Sequence, residues 1–140
     1  MQPFDEYGME LLRKHNCTVR STRDDASGCA YIGTREITVP ASLGYLGFAV
    51  FCHEAGHIVL GHCDKAESGK LRCVEEYEAW TFARQCYREI GIPWKKRVQD
   101  RMVSSLRYSV RKATRRGLRT IPEKLRDVTG YSNKELIGRK

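Results

Sequence analysis

Residues 46–62, LGFAVFCHEAGHIVLGH, decide the fold of this chain. Before the last two residues of this stretch, the only polar side chains are those of His53, Glu54 and His57. A helix that is apolar nearly all the way round is a buried helix. Burying two imidazoles and a carboxylate costs on the order of several kcal/mol unless a partner satisfies them. The stretch therefore predicts a central buried helix whose three polar side chains share a partner.

The spacing of these side chains indicates that the partner is a metal ion. His53 and His57 stand four residues apart, so both project from one face of the helix, about one turn apart. Two imidazoles at this spacing can bind one zinc ion, and the carboxylate of Glu54 beside them can accept a proton from a water molecule at the metal. The alternative is a chance His-Glu-x-x-His match on a surface helix. The apolar flanks, which include Phe51 and Ile58, argue against it.

A catalytic zinc ion usually takes three protein ligands. In the extended motif HExxHxxGxxH the third histidine stands six residues after the second, whereas His62 follows His57 by five. A glutamate from a second helix is the other common solution. A second predicted helix follows, and it carries the acidic cluster Glu75, Glu76 and Glu78. The sequence therefore predicts a metal held by two histidines and one glutamate of this cluster.

The segments before the central helix predict an α+β fold. An amphipathic pattern over residues 4–15 predicts a first helix, and residues 17–20 predict a short strand. Residues 29–32 and 36–39, separated by a Gly-Thr turn, predict a hairpin. Three short strands before a buried helix predict a small antiparallel three-stranded sheet packed on that helix. In zinc proteases of this general build an edge strand receives the substrate in extended form, and the sequence leaves open whether Ile37–Val39 is that edge.

Two motifs, taken in this order, resemble those of a known family. The first is HEAGHIVLGH at residues 53–62, and the second is EYEAWTFA at residues 76–83. Together they resemble the ImmA/IrrE family of metallopeptidases, whose members show a HELGH-type helix and a downstream E-x-x-A-x-x-F-A segment. The resemblance spans roughly residues 5–93. It implies a gluzincin-like peptidase domain with Zn²⁺ as the cofactor.

Carried over by position, the resemblance assigns roles to four residues. His53 and His57 are implied to be zinc ligands, Glu54 the general base and Glu76 the third ligand. Glu78 remains an alternative third ligand, because it stands in the same stretch of predicted helix.

The chain departs from the family at Trp80, four residues after Glu76, where many relatives carry Asn or Asp. Such a residue could brace the metal ligands, and loss of an outer partner weakens metal binding. His62 at the end of the central helix has two interpretations. We favour a cation that suits the end of a helix, and the alternative is a group in contact with the ligands or the substrate.

The net charge changes sign along the chain. Residues 1–94 carry ten Lys and Arg against thirteen Asp and Glu, a net charge of −3. Residues 95–140 carry fifteen against four, a net charge of +11. This change predicts a boundary near residue 93. The zincin-like metallopeptidase domain that the motifs and the resemblance imply then occupies residues 1–93, and a basic helical extension occupies residues 94–140.

The extension is predicted to be helical. Apolar residues at every fourth position from Val98 to Val110 predict an amphipathic helix with Arg and Lys on its exposed face. A second short helix is predicted over residues 122–128, and a last turn over residues 133–138. The extension suits nucleic acid or an acidic protein surface as a partner, and the alternative is a solvated basic cap over the core.

The sequence thus predicts a zinc-dependent endopeptidase that cleaves a protein substrate. The resemblance implies that the substrate is a DNA-binding repressor or regulator of a phage, a mobile element or a stress response. The competing hypothesis is a non-catalytic zincin scaffold whose basic extension binds DNA or a regulatory partner. With no long apolar run and no apolar leader, we expect a cytoplasmic protein with no membrane partner and with reduced cysteines. Candidate donors for the oxyanion of the reaction are Tyr31, Tyr45, Tyr77, Tyr87 and His62.

Overall fold

A computed structural model of the chain describes residues 3–62 and 71–132. This described part contains five α-helices and one three-stranded sheet, which confirms the predicted α+β class. No helix within these two ranges is long and apolar enough to cross a membrane. The elements in chain order are α1 (Pro3–Lys14), β1 (Thr18–Arg23), β2 (Cys29–Tyr31), a short 3-10 turn (Ile32–Thr34), β3 (Glu36–Pro40), α2 (Tyr45–Val59), α3 (Arg72–Ile90), α4 (Lys96–Arg115) and α5 (Glu123–Thr129).

The sheet is mixed, and the prediction of a wholly antiparallel sheet is wrong. The strand order is β1-β3-β2, with β3 parallel to β1 and antiparallel to β2. The predicted hairpin is present as β2 and β3, whereas β1 pairs with the other side of β3. The reason is burial: residues 37–40 of β3 are all buried, and all six residues of β1 are exposed. The apolar strand therefore takes the centre, and the polar loop 24–28 carries the chain from one edge of the sheet to the other.

This topology identifies the edge strands. Ile37–Val39 lie in the central strand and have a neighbour on both sides, so they are not the edge that could receive a substrate. Among the strands of the described residues, β1 and β2 form the two edges.

α2 lies at the centre of the fold, packed against both β3 and α3. Twelve of its fifteen residues are buried, including the two histidines and the glutamate of the motif. α3 approaches α2 closely at Gly56, where a Cβ atom would lie 2.9 Å from Cδ1 of Phe82 and 3.3 Å from the carbonyl oxygen of Ala79. The absence of a side chain at Gly56 therefore lets α3 bring its glutamates close to the histidines of α2.

α4 packs its apolar stripe into the same core. The four apolar residues of the stripe from Val98 to Val110 are all buried, which confirms the predicted amphipathic helix. α5 matches the second predicted helix to within one residue at each end. One hydrophobic cluster includes buried residues from all five helices and from β3. The division of the chain near residue 93 stays a prediction, and the predicted turn at residues 133–138 lies outside the described residues.

Candidate metal centre

His53, His57 and Glu76 meet where α2 and α3 pack together. Nε2 of His53 lies 2.9 Å from one carboxylate oxygen of Glu76, and Nε2 of His57 lies 3.3 Å from the other. One donor atom from each of the three residues lies within 4.8 Å of the other two. Both histidines are buried, and the Glu76 side chain is 16% exposed. Two imidazole nitrogens and one carboxylate form a donor set that can hold a metal ion such as Zn²⁺.

The charge state of Glu76 suits a metal ligand. Burial alone raises the pKa of this carboxyl, but hydrogen bonds with His53 and His57 outweigh burial and hold the pKa well below its usual range. The residue is therefore a carboxylate at neutral pH, the form in which a carboxyl group binds a metal.

Glu78, the alternative third ligand, contacts a different residue. Its Oε1 lies 2.9 Å from Nε2 of His62, and Nδ1 of His62 lies 2.9 Å from Nδ1 of His57. His62 is only 3% exposed. The structure therefore supports the alternative interpretation of His62, as a group in contact with a metal ligand, over the helix-end cation that we favoured.

The partners of this Glu78–His62–His57 chain fix the proton positions along it. Glu78 as a carboxylate only accepts, so Nε2 of His62 carries a hydrogen and donates it. Nδ1 of a neutral His62 then accepts a hydrogen from Nδ1 of His57, so Nε2 of His57, which faces Glu76, is the ring nitrogen that can bind a metal ion. Burial lowers the pKa of His62, although its hydrogen bond to Glu78 opposes that shift, and a low pKa favours the neutral ring. The chain therefore presents Nε2 of His57 as the nitrogen for a metal ion.

His53 has quite different surroundings. Its ring packs against the indole of Trp80, with centroids 4.4 Å apart and an interplanar angle of 31°. Its Nδ1 is buried and has no hydrogen-bond partner within residues 3–62 and 71–132. An indole has one N–H and no acceptor, and the N–H of Trp80 donates to Oγ of Ser105 at 3.3 Å. Trp80 therefore gives His53 a packing surface without a hydrogen bond, in line with the predicted loss of a brace at this position.

Glu54 lies beside the ligands with its side chain almost fully buried. Burial raises the pKa of its carboxyl to about 7, although the charge of His57 partly offsets this shift. A carboxyl group with a pKa near neutrality can both accept and return a proton. Gly28 makes room for it, because a Cβ atom there would lie 2.9 Å from Cγ of Glu54 and 2.7 Å from the carbonyl oxygen of Thr38.

A cleft of about 340 Å³ connects this group to solvent. Residues 27–30, in β2 and the loop before it, line the cleft from the sheet. His53, Glu54 and Glu76 line it from α2 and α3. The edge strand β2, rather than the central β3, is therefore the strand beside the candidate metal site.

α4 forms the remaining surface of the cleft. This surface was not predicted, because the basic extension was expected to be separate from the metallopeptidase domain. The helical spacing of the polar residues beside the buried stripe of α4 could have indicated that they form one surface next to the core. The residues of this α4 surface are Arg101, Ser105, Tyr108, Ser109 and Lys112.

None of the five predicted oxyanion donors is among the described residues that line the cleft. Tyr87 donates its hydroxyl hydrogen to a backbone oxygen of α2, and His62 belongs to the hydrogen-bonded chain. Two other donors do line the cleft. They are Arg72, whose Nη2 lies 3.2 Å from Glu76, and Tyr108, which is 56% exposed.

No protein-family model, curated protein or solved structure matches this chain. The resemblance to the ImmA/IrrE family therefore stays a prediction that depends on the two sequence motifs. The convergence of two histidines and a glutamate beside Glu54 is an observation independent of that resemblance.

Proposed function

We propose that the protein is a metal-dependent endopeptidase whose metal is Zn²⁺, held by His53, His57 and Glu76. The observation that carries this proposal is the convergence of these three donors beside a solvent-open cleft that His53, Glu54 and Glu76 line. Catalytic zinc sites use three protein ligands of this kind and keep a further position open. A bound zinc ion would supply Lewis acidity, which polarises a carbonyl group and makes water more acidic.

Glu54 performs the proton transfers in the proposed reaction. Its carboxylate accepts a proton from the attacking water and then donates that proton to the leaving amine. Burial, which raises the pKa of Glu54 to about 7 in the metal-free protein, favours the protonated form that donates to the amine, whereas a bound divalent ion would favour the carboxylate that accepts from water. Arg72 and Tyr108 are the donors in the cleft that we assign to the oxyanion.

The proposed substrate is a protein segment in extended form. β2 is an edge strand, and its residues Cys29 and Ala30 line the cleft. An extended peptide beside an edge strand can form main-chain hydrogen bonds with it. The resemblance adds the expectation that the substrate is a cytoplasmic DNA-binding repressor or regulator.

The variant Glu54→Gln tests this proposal. We expect it to keep its metal, measured by elemental analysis, because Glu54 is not one of the three proposed ligands. Cleavage of an unstructured peptide library, followed by mass spectrometry, should fall about 100-fold or more, because the general base is lost. Glu123→Gln, which changes an exposed carboxylate on α5, is the control for the change in charge.

Undiminished cleavage by Glu54→Gln would refute the proposed mechanism. The competing hypothesis of a non-catalytic scaffold makes a separate prediction. In that case the variant keeps its metal and its full biological effect, and the unchanged protein cleaves no peptide of the library.

A further inference from the structure

Arg101 and Lys112 lie on the α4 surface of the cleft without a partner. Both are half-buried, and neither makes an ion pair or a side-chain hydrogen bond with any residue in 3–62 or 71–132. Among the other cations of α4, Lys96 pairs with Asp100 at 2.8 Å and Arg107 donates to a backbone carbonyl of α5 at 2.9 Å, whereas Arg97 and Arg115 are exposed to solvent. Arg101 and Lys112 are the half-buried cations of α4, and both line the cleft of the candidate active site.

The spacing along α4 places these cations at the two ends of one stripe. Arg101, Ser105, Tyr108 and Lys112 follow one another at intervals of four, three and four residues, so they share one face of the helix. Eleven residues of α-helix span roughly 16 Å, the length of about five residues of extended peptide. The two hydroxyl groups between the cations add uncharged hydrogen-bonding partners along the stripe.

The charge balance of the cleft favours an anionic occupant. Arg72, Arg101 and Lys112 line it together with the carboxyl groups of Glu54 and Glu76. A divalent metal at the candidate site would add two further positive charges. A concave surface of one prevailing sign attracts ligands of the opposite charge and fixes their register.

We infer that the α4 surface selects acidic segments of a protein substrate. An extended peptide in the cleft carries Asp or Glu side chains roughly four or six residues apart, an even spacing that puts both on one face of the peptide, and these pair with Arg101 and Lys112. This inference rests on the proposed function, because it assumes that the cleft receives a peptide. A peptide fits the observations better than a nucleic acid, since the cleft includes an edge strand that can form main-chain hydrogen bonds with a peptide.

Peptide binding to the full chain carrying Glu54→Gln, with Zn²⁺ added, tests the inference without cleavage. The probes are three dye-labelled unstructured ten-residue peptides that differ at two positions, four residues apart, which hold two Glu, two Gln or two Lys. Fluorescence anisotropy should show about tenfold tighter binding of the Glu peptide than of the Gln peptide, and still weaker binding of the Lys peptide.

The double variant Arg101→Gln/Lys112→Gln, in the same background, should remove this preference. The matched control is Arg88→Gln/Arg119→Gln, which makes the same change in net charge at exposed positions outside the cleft, on α3 and in the loop after α4. It should keep the preference for the Glu peptide. An equal loss in both double variants would overturn the inference, because net charge alone would then explain the binding.

Two further outcomes would also overturn it. One is equal binding of the Glu and Gln peptides by the protein with an unaltered α4, a comparison that needs no folded double variant. The other is tighter binding of duplex DNA than of the Glu peptide, with the same dependence on Arg101 and Lys112. If the protein cleaves peptides but binds the Glu peptide no more tightly than the Gln peptide, only this inference is refuted. If it prefers the Glu peptide but cleaves no peptide, only the proposed function is refuted.

Discussion

The two histidines of the central helix are held in contrasting ways. The Nδ1 of His57 is hydrogen-bonded to His62, which is in turn hydrogen-bonded to Glu78. The Nδ1 of His53 is buried against Trp80 and has no such partner in the described part of the chain. A hydrogen-bonded partner fixes the tautomer and the orientation of a ligating ring, whereas packing fixes only its orientation. The two proposed ligands, although four residues apart on one helix, are therefore held in position for a metal by different means.

Among changes to the surroundings of the two histidines, removal of His62 should cause the largest change in zinc affinity. In His62→Ala the Nδ1–H of His57 loses its buried acceptor, so both ligands then lack an outer partner. We expect zinc affinity, measured by competition with a chromophoric chelator, to fall about 10- to 100-fold. His15→Ala, which removes the one histidine outside the site, should leave the affinity unchanged. An unchanged affinity in His62→Ala would show that the chain does not prepare the ligand.

A change at Glu78 should have a smaller effect. Glu78→Gln keeps an oxygen that can accept the hydrogen bond from His62 but removes the charge, so we expect a loss of zinc affinity of about tenfold or less. Because both residues act through His57, the effects of Glu78→Gln and His62→Ala should not add in the double variant. Additive effects would mean that the two residues act independently.

The smallest effect on affinity should come from giving His53 the partner that it lacks. Trp80→Asn places an acceptor near its Nδ1, and zinc affinity should rise several-fold, because outer partners strengthen metal binding. The lost indole packing should lower the free energy of unfolding by about 3 kcal/mol, measured by denaturant titration. Trp80→Phe keeps an aromatic ring without an acceptor and should show no gain in affinity. A gain in Trp80→Phe as large as that in Trp80→Asn would exclude the hydrogen bond as the cause.

The residue pattern alone did not decide whether Glu76 or Glu78 is the third proposed ligand. Two residues apart on a helix, their side chains point about 200° apart, so only one of them can reach both His53 and His57. Which one does depends on how α3 is rotated about its own axis, and close packing at Gly56 sets that rotation. The family resemblance pointed to Glu76, but the acidic cluster taken alone left both residues open.

The sheet and the α4 surface were unpredictable for a related reason. The hairpin of β2 and β3 was predicted because its strands are neighbours in sequence and a short turn joins them. The parallel pairing of β1 with β3 joins segments that are separated by another strand, and no local pattern marks it. The apolar stripe of α4 was likewise predicted from its helical period in the sequence. Nothing in the sequence indicated that the polar residues beside this stripe would line the cleft.

The sequence by itself determined the features that depend on residues close together in the chain: a buried central helix, two histidines on one face with Glu54 beside them, and the amphipathic character of α4. Only the tertiary structure decided the features that depend on how one element lies against another. These are Glu76 as the third member of the candidate site, the contrasting support of the two histidines, the mixed sheet and the basic surface of the cleft. The physical reason is that helix formation follows a local period, whereas contacts between elements depend on the packing of the whole core.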